Sequence, residues 1–267
     1  MREKVNGFVG VMAVAILCMV SGLCMVWGIA PVVLAVYVAA CAVCGRYMIT
    51  CIGCAAGVAA GSMGIAGLLH AYEYMIPGPA YSGVMVTEKY LVLLGLAMCL
   101  MKIVYSRNSR SYVRVIVVMS AAVLMGNIVV YADNMLMAAA YGVVEAAIFM
   151  CASVILKPGI GLLYTYICGD ASDVERDESW NISQGIVSLM ALAAVVLWVV
   201  PGEDIYGVNP AFMLALVLIL YAVYRTGAVY GCGMAAVAGS IVSVKLNDSR
   251  WLMWMLLVTL VMLIGRA

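Results

Sequence analysis

Long, unbroken apolar runs limit this chain more than any other feature. Ten stand out, at residues 8–28, 31–44, 47–69, 90–105, 112–131, 135–156, 183–200, 208–224, 227–244 and 251–264. Each is bounded by charge, proline or a polar cluster, as at Gly45-Arg46-Tyr47, Ser106-Arg107-Asn108-Ser109-Arg110 and Pro201-Gly202-Glu203-Asp204. A helix that crosses a bilayer needs roughly 20 apolar residues, so ten such runs consume most of the 267 residues. The second, fourth and last runs are short for a full crossing. Continuity rather than alternation favours helices over a β-barrel.

Composition agrees. Apolar residues make up 67% of the chain and charged ones 10%, with a mean hydropathy of +1.14. A soluble globule built this way would lack the polar residues to cover its surface. A soluble enzyme, a disordered chain and a nucleic-acid-binding domain are therefore excluded. The expectation is an all-α, polytopic helical membrane protein: one integral membrane domain over residues 1–267, with about ten transmembrane helices. Arg2 and Lys4 precede the first run as in a signal peptide, but that run is longer than an h-region, and Cys18 and Cys24 both follow leucine. It reads as a retained span.

Charge placement gives the orientation. With ten crossings and a cytoplasmic N-terminus, Arg2, Lys4, Arg46, Lys102, Arg107, Arg110, Arg114, Lys157, Arg176, Arg225 and Arg266 fall inside. Lys89, Lys245 and Arg250 fall outside, eleven against three, so both ends are expected in the cytoplasm. Trp27, Trp180, Trp198, Trp251 and Trp254 lie near span ends, where indoles collect. Two loops are long. Residues 70–89, outside, carry His70, Glu73, Pro77 and Pro79. Residues 157–182, inside, carry Asp170, Asp173, Glu175, Asp177 and Glu178 against Arg176, and read as solvated chain kept off anionic headgroups.

Several residue patterns carry packing or chemistry. Gly53, Gly57 and Gly61 share one face of the third span, and Gly64 and Gly67 follow. Gly227, Gly231, Ala235 and Gly239 repeat the spacing in the ninth. Such faces let a neighbouring backbone approach closely. Packing within the chain is favoured over homodimerisation. Cys41-Ala-Val-Cys44 and Cys51-Ile-Gly-Cys54 formally resemble a four-cysteine metal site, but apolar surroundings disfavour thiolates, so no metal is expected. Glu145, mid-span, is the conspicuous residue, because an ionised acid there is costly. It is a candidate for cation coupling, or a helix tie to Asn127 or Lys102. One histidine, no Ser/His/Asp grouping and no phosphate loop leave no expected catalytic residue, and no cofactor site is read.

The arrangement resembles the N-terminal membrane region of the stage II sporulation protein E family, phosphatases of endospore-forming bacteria. The likeness is carried by Val143-Val144-Glu145-Ala146-Ala147, with its acidic residue in the sixth span, and by Ile182-Ser183 through Val187-Ser188-Leu189 after an acidic loop. Leu220-Tyr221-Ala222-Val223-Tyr224, Gly227-Ala228-Val229-Tyr230-Gly231 through Gly239, and Gly28-Ile29-Ala30-Pro31 complete it. Gln184-Gly185 stands where the family carries acids. The family's phosphatase domain would follow Gly265-Arg266-Ala267 and is absent, so no phosphatase residue is carried over. The resemblance implies a non-catalytic anchoring module in the bacterial inner membrane, at the sporulation septum. Its implied partners are the lipid bilayer, a second copy of itself, and a cytoplasmic phosphatase or septal protein. Two other functions fit the residues: a small-solute permease using Glu145, Asn127 and the broken segments near Pro31 and Pro158, and an oligomerising membrane scaffold.

Overall fold

The computed structural model describes residues 2–23, 31–63, 83–103, 109–132, 134–168, 182–200 and 209–266. Every element among them is a helix: α1 Arg2–Leu23, α2 Pro31–Cys44, α3 Tyr47–Met63, α4 Gly83–Ile103, α5 Ser109–Val130, α6 Met135–Cys168, α7 Ile182–Val199, α8 Pro210–Thr226, α9 Ala228–Lys245 and α10 Arg250–Arg266. No strand occurs among the described residues. The helices form two compact units, Met1–Trp180 and Asn181–Ala267. Three helical stretches are long and apolar enough to cross a membrane: Ser111–Val130, Met135–Ile167 and Ala228–Lys245. Shorter apolar helices include Phe8–Leu23, Pro31–Cys44, Tyr47–Gly61, Gln184–Val199, Pro210–Thr226 and Arg250–Gly265. His70, Glu73, Pro77, Pro79, Gly64, Gly67, Trp27 and the acidic stretch 170–178 lie outside the described residues.

In the first unit α2 forms the centre. Every residue from Pro31 to Cys41 is buried, as an apolar pattern with no polar stripe requires. It touches α1, α3, α4 and α6. At 14 residues it is only about 21 Å long, and burial inside protein removes the need to match a bilayer. Gly45 turns the chain into α3 with φ of 63°, which favours glycine. The Tyr37 hydroxyl donates to the Tyr47 carbonyl at 3.3 Å across the turn.

Helix α1 starts at Arg2 rather than residue 8, and two further departures matter for the site. Helix α4 starts at Gly83, not residue 90, so Lys89 belongs to the helix and not to an outer loop. Helix α6 does not end at residue 156; it runs through Pro158 to Cys168. An interior proline withholds one N–H from the carbonyl four residues back. Close by, the Tyr112 hydroxyl donates to the Ser153 carbonyl at 2.7 Å, and the Lys157 ammonium lies 4.6 Å from the Tyr112 ring centroid. A neighbouring helix thus supplies polar contacts where the ladder is weakest, the condition under which apolar helices tolerate proline.

The glycine face of α3 sits directly on α1. A Cβ on Gly53 would come within 2.7 Å of the Ala15 carbonyl oxygen, and one on Gly57 would collide with the Met19 carbonyl oxygen. Gly22 on α1 is the reciprocal: its Cβ would lie 2.6 Å from Gly57 Cα. Gly61 is buried on the same helix.

In the second unit α9 touches α7, α8 and α10. The buried core includes Leu197, Ile219, Met234, Ala238 and Met255. A Cβ on Gly231 would press on Val223 of α8, and one on Gly239 would lie 3.1 Å from Leu252 Cα of α10. Gly227 plays a different part from its spaced companions. It is the single residue between α8 and α9, with φ 94° and ψ −172°, and a Cβ there would meet nothing within 4 Å. That backbone region is nearly exclusive to glycine. Asn209 caps α8 by accepting from the Phe212 N–H at 2.9 Å, with Pro210 in the first turn. Between α9 and α10 the Arg250 N–H and Nε donate to the Asp248 carboxylate, and the former above all holds its pKa below the usual value.

These contacts rank the glycines. Gly57→Ala is expected to destabilise the protein by about 1–3 kcal/mol through overpacking. Gly95→Ala, on α4 where a Cβ meets nothing within 4 Å, should be neutral or stabilising by up to about 1 kcal/mol through helix propensity. Thermal unfolding of both variants in one detergent checks the order; equal midpoints would refute the α1–α3 contact.

Candidate functional site

The site is built where α4, α5 and α6 meet. Lys89 on α4 donates from Nζ to Glu145 Oε2 on α6 at 2.8 Å and to Asn127 Oδ1 on α5 at 3.1 Å. Asn127 Nδ2 donates to the same Glu145 oxygen at 2.6 Å and to the Val123 carbonyl at 3.2 Å. This amide orientation is the one that satisfies every partner, since the oxygen faces the ammonium and the nitrogen faces the carboxylate. The Lys89 side chain is 4% exposed and that of Glu145 19%. Asn127 is fully buried.

Small residues make the site possible. A Cβ on Gly126 would lie 3.2 Å from Lys89 Cγ, so the glycine of α5 provides the groove for the lysine stem. A Cβ on Gly142 would approach Leu124 to 3.3 Å, so α5 and α6 pack closely at this level. The Lys89 ammonium also lies 4.6 Å from the Tyr90 ring centroid. The Tyr90 hydroxyl is buried and makes no hydrogen bond among the described residues.

The chemistry follows from the charge count. One ammonium, one carboxylate and one amide form a closed, formally neutral set. Each charge offsets the desolvation of the other, and the amide bonds to both of them. Such a set binds three helices together in an apolar medium.

Glu145 and Asn127, conspicuous in the sequence, are brought together by the fold. Lys89, Tyr90 and Gly126, which the sequence pattern leaves outside the site, join them. Lys102, the cation considered for Glu145, is exposed near the end of α4. The available signal was the uncompensated acid itself: a mid-span Glu145 calls for a cation, and Lys89 lies just before the fourth apolar run.

The cysteine quartet is placed around α2 and α3. Cys41 Sγ lies 3.2 Å from Thr50 Oγ1, and Thr50 Oγ1 donates to the Arg46 carbonyl at 2.8 Å. Cys18, Cys41, Cys44, Cys51 and Cys54 form no disulfide with one another. Among the described residues no group of histidine, cysteine or acidic side chains could hold a metal ion.

No protein-family model matches this chain, and neither a curated protein nor a solved structure does.

The network predicts strong coupling. Lys89→Met alone leaves the half-buried Glu145 without its cation and should cost up to about 3–5 kcal/mol, whereas Lys89→Met with Glu145→Leu should recover most of that loss. A double-mutant cycle on unfolding in detergent measures it. Additive losses would refute the pairing.

Proposed function

We propose that this chain is a non-catalytic, multi-pass membrane anchor. It crosses the bacterial inner membrane about ten times with both termini in the cytoplasm, and it resembles the membrane region of stage II sporulation protein E. On this reading it holds and positions a cytoplasmic protein-serine phosphatase or another septal protein at the sporulation septum. The sporulation assignment rests on the sequence resemblance. The non-catalytic anchoring role is carried by one observation, the closed Lys89–Asn127–Glu145 set. A coupling site in a permease needs charged groups held open to a moving solute. Here the carboxylate, the ammonium and the amide bond to one another and tie three helices.

The high apolar fraction, a basic-residue distribution of eleven inside against Lys245 and Arg250 outside once Lys89 is counted within α4, and the three helices long enough to cross support the multi-pass topology. A second copy is a further partner of the anchor through the lipid-facing surfaces of its helices.

Three measurements test the proposal. In cells, Ser109→Cys is expected to react with a membrane-impermeant maleimide only after the cytoplasmic side is opened; labelling of intact cells would overturn the orientation. A fluorescent fusion in an endospore-forming bacterium is expected to concentrate at the asymmetric septum, and uniform membrane fluorescence throughout sporulation would remove the septal assignment. In reconstituted vesicles, solute uptake abolished by Glu145→Gln would replace anchoring with transport.

A further inference from the structure

The polar set is complete in charge but not in hydrogen bonds. Glu145 Oε2 accepts from both Lys89 Nζ and Asn127 Nδ2, whereas Oε1 accepts from no described residue. An ammonium carries three N–H groups, and Lys89 directs one to Glu145 and one to Asn127. The Tyr90 hydroxyl adds a further open position. Tyr90 is fully buried, and its hydroxyl has no hydrogen-bond partner among the described residues. Its ring centroid lies 4.6 Å from the Lys89 ammonium, and the Glu145 carboxylate borders the hydroxyl.

A hydroxyl taken out of water without a new partner is costly. Folded proteins satisfy such groups with an ordered water where about two to four polar groups converge. Here the hydroxyl, the second carboxylate oxygen and the remaining ammonium N–H supply them. Water also has a way in. Asn127 is three residues from the end of α5 at Val130, so the set lies about one helical turn from the bend into α6. The Glu145 side chain is 19% exposed, which leaves one edge of the carboxylate uncovered by protein.

Charge selects the occupant. A cation would meet the Lys89 ammonium and an anion the Glu145 carboxylate, so the neutral set favours a small neutral molecule that both donates and accepts. We infer that Tyr90, Glu145 and Lys89 bind one water molecule. It accepts from the Tyr90 hydroxyl and the remaining Lys89 N–H, and it donates to Glu145 Oε1. Tyr90 thereby becomes a fourth member of the set. The inference goes beyond the anchoring reading, because it concerns a molecule held inside one unit and not where in the cell the chain works.

Infrared spectra of the full chain in detergent, recorded in ordinary and in oxygen-18 water, test it together with the unfolding of Tyr90→Phe. The parent is expected to show an O–H stretching band that moves to lower frequency in the heavy-oxygen water and is missing from Tyr90→Phe. Glu145→Gln should keep the band at a higher frequency, because an amide accepts more weakly than a carboxylate. Tyr90→Phe should also raise the unfolding equilibrium constant about fivefold, the equivalent of about 1 kcal/mol. A Tyr90→Phe protein as stable as the parent, or more stable, would show that the hydroxyl is unpaired and would overturn the site. Destabilisation with no difference in isotope-sensitive bands would mean that the hydroxyl bonds Glu145 directly. An unshifted band in Glu145→Gln would place the water elsewhere, and either of these results also overturns the proposal.

Discussion

A lysine and a glutamate removed from water in an apolar bundle must find each other. Either charge alone is expensive in hydrocarbon, and together, with an amide between them, they become tolerable. That constraint orders the first unit. Lys89, Asn127 and Glu145 come from three different helices, so their contacts fix the rotation and level of α4, α5 and α6 at one point. Apolar side chains alone specify neither in lipid, because one greasy face is much like another.

Close backbone approach does the complementary work. Where α3 crosses α1, Gly53, Gly57 and Gly22 let main chain rest against main chain. Gly126 serves the polar set in the same way by making room for the Lys89 stem. The glycines and the ion pair thus act together, the first bringing helices near enough for dispersion contact, the second selecting a single arrangement. Tyr112 adds a third device, a hydroxyl placed on the backbone of α6 near Pro158.

Much of this was legible before any coordinates. Continuous apolar runs announced helices, and each of the ten stretches overlaps one. Fourfold glycine spacing announced close faces at Gly53, Gly57, Gly231 and Gly239, and a mid-span acid announced a polar contact. Helix ends were less legible, for a physical reason. Glu88-Lys89 read as a boundary because charged residues normally sit in water, and Pro158 read as a stop because proline normally ends a helix. Both rules describe a helix in isolation; here Asn127 and Glu145 on other helices bond Lys89, and the Tyr112 hydroxyl of α5 bonds α6 at the Ser153 carbonyl, beside the turn that Pro158 weakens. Gly227 shared its neighbours' spacing but not their role, since spacing cannot reveal a positive φ.

What the sequence by itself determined is the class: long, continuous apolar runs folded as helices, three of them long and apolar enough to cross a membrane, because a helix bonds its backbone groups within its own segment. Tertiary structure decided the pairing of Lys89 with Glu145, the burial of α2 on all sides and the gathering of helices into two units. Those outcomes depend on which helices become neighbours. Neighbour choice is set by many weak contacts summed over the whole bundle, and no single stretch of chain contains that sum.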